Sequence, residues 1–205
     1  MKLRNTVIAI GIGAATAAGL SLVKVNKDLL IGSTAVVIGA GLMISLKDKN
    51  DINLSSRNYE YFFNKAQDKF ELADYEEAII DYNKALELSP TEICLVYSMR
   101  GNAKRNLGDF DGAISDQNKA LNFDPLYADA YFNRSSAKFQ KGDFDGAIQG
   151  YSQVIKINPK DSDSFFNRAN VKKEIGDIKG ACGDWGKASE LGDDDAKKFL
   201  KEHCE

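Results

Sequence analysis

Two patterns of apolar and polar positions divide the chain. Residues 6–23 and 29–46 carry no charged side chain over 18 positions each, and the segment Lys24-Val25-Asn26-Lys27-Asp28 separates them. A helix of that length spans about 27 Å, just short of a ~30 Å hydrocarbon core. The pattern predicts a transmembrane helical hairpin over residues 1–47, with helices at about 6–23 and 29–46. Gly11, Ala15 and Gly19 recur every four residues, as do Ala35 and Gly39. Small side chains at that spacing let two helices approach closely in lipid. Two other readings stay open. The basic start Met1-Lys2-Leu3-Arg4 and the small-x-small Ala15-Thr16-Ala17 also suit a signal peptide followed by one anchor, and the segment could be a soluble apolar stretch.

Beyond a polar linker at 48–58 the pattern changes to blocks that repeat. All three prolines, Pro90, Pro125 and Pro159, stand 35 and 34 residues apart. Aligned on them, Asp74-Tyr75-Glu76-Glu77-Ala78-Ile79 superimposes on Gly108-Asp109-Phe110-Asp111-Gly112-Ala113-Ile114, then on the similar blocks at 142–148 and 176–181. Each unit reads as two helices. Gly108, Gly142 and Gly176 (Ala73 in the first unit) stop the first helix, and Asp109, Asp143 and Asp177 cap the second. A proline closes each of the first three second helices, having no N–H to offer. The units run over 59–93, 94–127, 128–161 and 162–193. Residues 194–205 form a polar capping helix and tail, with Ala196, Phe199 and Leu200 at helical spacing.

Within each unit the first helix carries an aromatic (Phe62, Tyr97, Tyr131, Phe165) and then a small residue (Ala66, Gly101, Ser135, Ala169). The second carries Ala78, Ala113, Ala147 and Ala181, then Tyr82, Gln117, Tyr151 and Trp185, then Ala85, Ala120, Val154 and Ala188. This resembles the tetratricopeptide repeat family over about residues 59–193, and more narrowly small membrane-anchored bacterial, cyanobacterial-type, proteins of that family. The resemblance implies an all-α fold of four helix-turn-helix units in a right-handed superhelix. It also implies binding of a protein or peptide in a concave groove lined by the first helices. Carried over residue by residue, the groove positions are Phe63, Gln67 and Phe70 in the first unit and Asn102 and Arg105 in the second. Phe132, Ser136 and Phe139 follow in the third, and Phe166 and Asn170 in the fourth. The phenylalanines form an aromatic row suited to apolar side chains, or else pack on neighbouring repeats. Members that clamp the tails of chaperones use Lys, Asn and Arg at places that here carry Phe63, Gln67, Met99, Asp129 and Asn133, so the clamp is absent.

Composition refines this picture. The net charge of −3 hides an N-terminal 50 residues at +4 and a remainder at −7. An acidic repeat region argues against nucleic acid, which needs clustered Lys and Arg. Five basic residues flank the expected hairpin (Lys2, Arg4, Lys47, Lys49, Arg57) against two in its loop, which predicts the repeats on the cytoplasmic side of a bacterial inner or thylakoid membrane. Residues 7–16 approach a dinucleotide-binding GxGxxG. However, Thr16 replaces the third glycine, Asp28 comes too early, and no βαβ unit follows. The one histidine, His203, lies near the C-terminus, so no metal site, cofactor or catalytic constellation is expected, and enzyme activity with them. Cys94, Cys182 and Cys204 are odd in number and far apart, which suits a reducing compartment rather than a disulfide framework.

One further repeat is chemical. Lys65, Arg100, Arg134 and Arg168 recur at one place, each followed four later by a lysine, and Asp81, Asp116 and Asp184 recur on the second helices, with Gly150 breaking the series. These positions form either a ladder of ion pairs between packed helices or an anion-binding strip. The whole is read as a membrane-tethered scaffold that assists assembly of a membrane complex. In the alternative, it is a structural subunit whose hairpin is the main interaction element.

Overall fold

The structure, a computed structural model, describes residues 35–38, 42–45, 49–88 and 92–204. Contacts divide the chain into two units, 1–56 and 57–205, which are taken separately.

In the first unit, strand β1 (Ala35–Ile38) pairs antiparallel with β2 (Leu42–Ser45), with Ala35 opposite Ser45 and Ile38 opposite Leu42. This overturns the helix expected over 29–46 at these positions. Val36, Val37, Ile38 and Ile44 are β-branched, and Gly39 and Gly41 lie between the two runs. An uncharged apolar run has no periodicity to separate strand from helix, and here the β-branched residues decide. The helix expected at 6–23 lies outside the described residues. Among the described residues no helix is long and apolar enough to cross a membrane. Helix α1 (Lys49–Glu71) begins inside the stretch expected to be a linker at 48–58, so most of that linker is helical.

From 57 onward the described chain is all-α. Helices α1 and α2 (Tyr75–Glu87) form the first pair, α3 (Ile93–Asn106) and α4 (Phe110–Phe123) the second. Helices α5 (Ala128–Lys141) and α6 (Phe144–Ile157) make the third, α7 (Ser162–Glu174) and α8 (Ile178–Glu190) the fourth, and α9 (Asp194–His203) follows. From α2 to α9 each helix packs on the next, and α3 also touches α5. The turns explain the punctuation. Gly108, Gly142, Gly176 and Gly192 adopt left-handed φ of 82°, 87°, 82° and 100°, and Ala73 adopts 61° at the equivalent turn. Asp109, Asp143 and Asp177 then accept a hydrogen bond at 2.9 Å from the backbone N–H of Gly112, Gly146 and Gly180. Asp124 and Asn158 turn extended ahead of Pro125 and Pro159, as a residue before proline must. Pro90 lies outside the described residues.

The expected packing positions are buried. Ala66, Ala78, Ala85, Gly101, Ala113, Ala120, Ala147, Ala169, Ala181 and Ala188 are essentially inaccessible, and Tyr82, Tyr151 and Trp185 fill the space beside them. Gln117, at the aromatic place of the second unit, is also buried and donates from Nε2 to the Ser98 carbonyl at 3.0 Å. A Cβ on Gly101 would meet that same Nε2 at 2.7 Å, so the glycine and the glutamine suit each other.

The expectation about the cysteines is corrected. Cys182 on α8 and Cys204 after α9 form a disulfide across a separation of 22 residues, and Cys94 is free. Distance along the chain misled here, because the α8–α9 turn folds the tail back and brings the two Cα atoms to 5.8 Å.

Candidate functional site

Neighbouring first helices meet through polar side chains. Asn133 Nδ2 donates to Ser98 Oγ at 3.2 Å and Arg105 Nη1 to Ser136 Oγ at 3.3 Å, which ties α3 to α5. The Tyr151 hydroxyl reaches the same Ser136 from α6. Burial pushes it up to about 12, against the opposing pull of Ser136 and Arg105. In this cluster Asn102 Oδ1 and Arg105 Nε are shielded from water and bond to no described group. The structure therefore joins two expected groove residues, Arg105 and Ser136, with Asn102 three residues before Arg105 on α3.

The aromatic row is placed differently. Phe63 is 8% exposed and belongs to a core with Tyr59, Tyr82 and Val96, so it is not a surface residue of a groove. Phe70 packs edge-on against Tyr75 at 5.3 Å between ring centroids, and Phe132 against Tyr151 at 5.4 Å. Phe139 lies 5.9 Å from Phe144, and Phe166 lies 5.4 Å from Phe199. Each ring thus has an aromatic partner on the helix that follows its own or, for Phe166, on α9. These four keep an exposed part, so they combine packing with a partly open face. On α5 the reason is spacing: Phe132 and Phe139, seven apart, sit at the edge of the buried stripe, where they touch both core and solvent.

Phe132 also lines a cleft between the third and fourth units, with Ala128 and Asp129 on α5, Val154 on α6, Asn158 just past its end, and Asp161 and Asp163 at the start of α7. Of the remaining expected residues, Gln67 is half-buried, and Asn170 accepts from Trp185 Nε1 at 3.2 Å, engaged with its own unit. The sequence reading missed Asn133 and Ser98 as a pair. Their one signal was two short polar side chains on consecutive first helices, one residue out of register.

The repeated charges resolve into bonds between helices. Arg100 grips Asp116 with two parallel bonds, Nε at 2.8 Å and Nη2 at 2.6 Å, and Lys104 joins at 2.8 Å. Arg168 grips Asp184 in the same way at 2.8 and 2.7 Å, with Lys172 at 2.7 Å. In the first unit Lys69 and Lys65 take that role toward Asp81 at 2.9 and 3.6 Å. Burial raises the Asp116 carboxyl, but Arg100 and Lys104 outweigh it and hold the group below the ordinary carboxylate value. Asp81 is likewise raised by burial and lowered further by Lys69 and Lys65.

Comparison with known proteins agrees with this geometry. The tetratricopeptide repeat matches residues 59–92 and 96–125, and a second description of it, the TPR repeat, matches residues 135–176. No curated protein matches the chain. Among solved structures, one of MamA is similar with TM-score 0.62 and 22% identity, covering 72% of this chain and 86% of that one. A tetratricopeptide repeat protein from Parabacteroides merdae superimposes with TM-score 0.60 and 19% identity over 67% of this chain and 54% of its own. The first TPR of Spaghetti (RPAP3), bound to the HSP90 peptide SRMEEVD, gives TM-score 0.56 and 24% identity over 59% and 95%. At these identities the likeness is one of fold. Through its repeat punctuation, its paired helices and these matches, the chain carries tetratricopeptide repeats.

Proposed function

We propose that the repeats bind a segment of a partner protein along the surface where α3, α5 and α7 succeed one another, and that the protein works as a scaffold. The observation that carries this is the α3–α5 cluster. Asn102 Oδ1 and Arg105 Nε are an acceptor and a donor left without a partner among the described residues, at a cost of about 1–3 kcal/mol each. Both side chains keep an exposed part, so a turn of either brings its unpartnered atom to the N–H or C=O of an incoming peptide backbone, while the partly exposed Phe132 and Phe139 offer apolar contact. The HSP90 peptide held by the Spaghetti domain is acidic. Here the clamp places carry buried Phe63, Gln67, Met99, Asp129 and Asn133, which supply no cation for such a tail.

The test is crosslinking and affinity purification of the full chain against an Asn102→Ala, Arg105→Ala variant. The expected result is loss of the principal partner with the melting temperature held within a few degrees. Recovery of the same partners in the same amounts overturns the groove. This pair is preferred to Phe132→Ala and Phe139→Ala, because those rings also hold Tyr151 and Phe144.

Attachment to a membrane, with assistance to assembly of a membrane complex, belongs to the same proposal. It rests on the two uncharged stretches at 6–23 and 29–46 alone and no longer takes the form of a helical hairpin. Its check is alkaline extraction of membranes: the full chain stays with the pellet and a chain lacking residues 1–47 is released. Release of both ends the idea.

A further inference from the structure

Three of the four units satisfy one pattern: a cation on the first helix meets a buried carboxylate on the second. The third unit breaks it. Arg134 stands where Arg100 and Arg168 stand, but the place of Asp116 and Asp184 is Gly150. Among the described residues Arg134 makes one hydrogen bond, Nη1 to Asn118 Oδ1 at 2.7 Å, and lies 5.1 Å from the centre of the Tyr131 ring. The same nitrogen of Arg100 bonds Asn83 on the preceding second helix, and that of Arg168 bonds Ser152. One half of the guanidinium is therefore anchored in all three units. The other half, which in Arg100 and Arg168 makes two parallel bonds to a carboxylate, has no acid in the third. Lys138, which would supply the second cation, is drawn away to Asp143 at 3.0 Å.

The missing acid follows from local packing. A Cβ on Gly150 would run into Ser135 Oγ, which is itself held by a bond to the Tyr131 carbonyl at 2.7 Å. Elsewhere the facing residue is Ala66, Gly101 or Ala169, and the second helix has room for an aspartate. Ser135 and Gly150 thus depart from the other units together, while Arg134 keeps to their pattern. A half-buried guanidinium without a counter-charge is unfavourable, and burial lowers its affinity for its proton. An anion that restores the pair is correspondingly favoured.

We propose that Arg134 is an oxyanion site, in which a carboxylate or phosphoryl group from outside the chain presents two oxygens to the free edge of the guanidinium, as Asp116 does to Arg100. The site lies on the opposite side of α5 from Phe132 and Ser136, because residues two apart on a helix point about 200° apart, and Phe139, five along, points about 140° away. It is thus separate from the peptide surface proposed above and stands or falls without it.

The test follows the Nε–H resonances of Arg100, Arg134 and Arg168 in the full chain while sodium acetate or sodium phosphate is added at constant ionic strength against chloride. The expected result is a saturable shift of Arg134 alone. Phosphate binding at least ten-fold tighter than acetate assigns a phosphoryl ligand, and acetate as tight as phosphate assigns a carboxylate. In a Ser135→Gly, Gly150→Asp variant, which copies the second unit, the acetate shift falls at least ten-fold and the melting temperature rises. No shift of Arg134, an equal shift of all three arginines, or an undiminished shift in the folded double variant overturns the site. If that variant does not fold, the wild-type titration decides alone.

Discussion

At its C-terminal end the repeat array is closed by a separate short helix, whereas at its N-terminal end it is closed by its own first helix. Helix α9 inserts Phe199 at 5.4 Å from Phe166 and 5.3 Å from Trp185, and stacks His203 on Trp185 at 5.7 Å. Asp193 caps that helix by accepting from the Ala196 N–H at 2.9 Å, and the Cys182–Cys204 disulfide fastens its far end. At the other end, Tyr59 stacks on Phe63 at 5.7 Å, and Phe63 lies 6.0 Å from Tyr82, so α1 supplies these core aromatics from its own length. A stacked repeat has no neighbour beyond its terminal face, and that face must be covered. An appended helix of 10 residues is marginal by itself, so it depends on its anchors. Tyr59 and Phe63 are instead carried within a helix of 23 residues.

The sharpest way to break the contrast is Phe199→Asp. Phe199 is partly buried, so losing its ring costs up to about 3 kcal/mol, and a charge placed against Trp185 adds to it. Amide exchange should accelerate through α8 and α9 while α1 to α4 keep their protection, since repeat energetics are local. Uniform loss of protection would show that the cap holds the whole array. Cys204→Ser comes next. Releasing a loop of 22 residues costs roughly 3 kcal/mol, again confined to the fourth unit. Equal melting curves for the variant and the parent, both under oxidising conditions, would show that Phe199 and Asp193 suffice.

Acid acts on the ladder nearer the other end. Asp81 and Asp116 are held below the ordinary carboxylate value, so their contribution is complete above about pH 4 and disappears as the pH falls through their folded-state values. The two should differ in how they fail. Asp116 is gripped by two bonds from Arg100, whereas the Lys65 and Lys84 side chains around Asp81 are 41% and 46% exposed and can turn to water. Asp116→Asn therefore destabilises more than Asp81→Asn, as thermal melts at neutral pH would measure, and the difference shrinks below pH 3. The reverse order would mean that the lysine cluster, and not the arginine fork, is the stronger clamp.

How far the sequence discloses such features depends on whether a signal repeats. Helix starts, helix stops and the small residues appear four times in phase, and each is a local rule of capping or close packing. Asp109, Asp143 and Asp177 are legible as caps from the sequence alone. Side-chain direction at Phe63, Phe70, Phe132, Phe139 and Phe166 depends on which neighbour offers a ring, and spacing alone does not contain that. Nor does it contain the approach of Cys182 to Cys204, which needs the α8–α9 turn. Residues 35–38 and 42–45 depart from the expected helix for a different reason. A run without charge has no polar face to report its period, and β-branched Val36, Val37, Ile38 and Ile44 settle as strands.

The smallest effect is the most local. Every first helix from the second unit onward stops on a glycine with φ near 80–90°, but the first stops on Ala73 at φ 61°, a conformation that a Cβ disfavours. The turn persists because its hydrogen bonds are those of the other units: Ala73 N–H to the Phe70 carbonyl at 3.0 Å and Asp74 N–H to Lys69 at 2.9 Å, as Gly108 N–H bonds Arg105 at 3.0 Å and Asp109 bonds Lys104 at 2.9 Å. Ala73→Gly should thus relieve strain without changing a bond, while loosening the unfolded chain by somewhat less. The expected outcome is a net gain of about 0.5–1 kcal/mol in thermal or denaturant unfolding, because alanine is incompatible with the native angle. The converse change, Gly108→Ala, should cost a similar amount. A loss of stability in Ala73→Gly would mean that the first unit tolerates the left-handed alanine without strain, and that the two ends differ in their turns as well as in their caps.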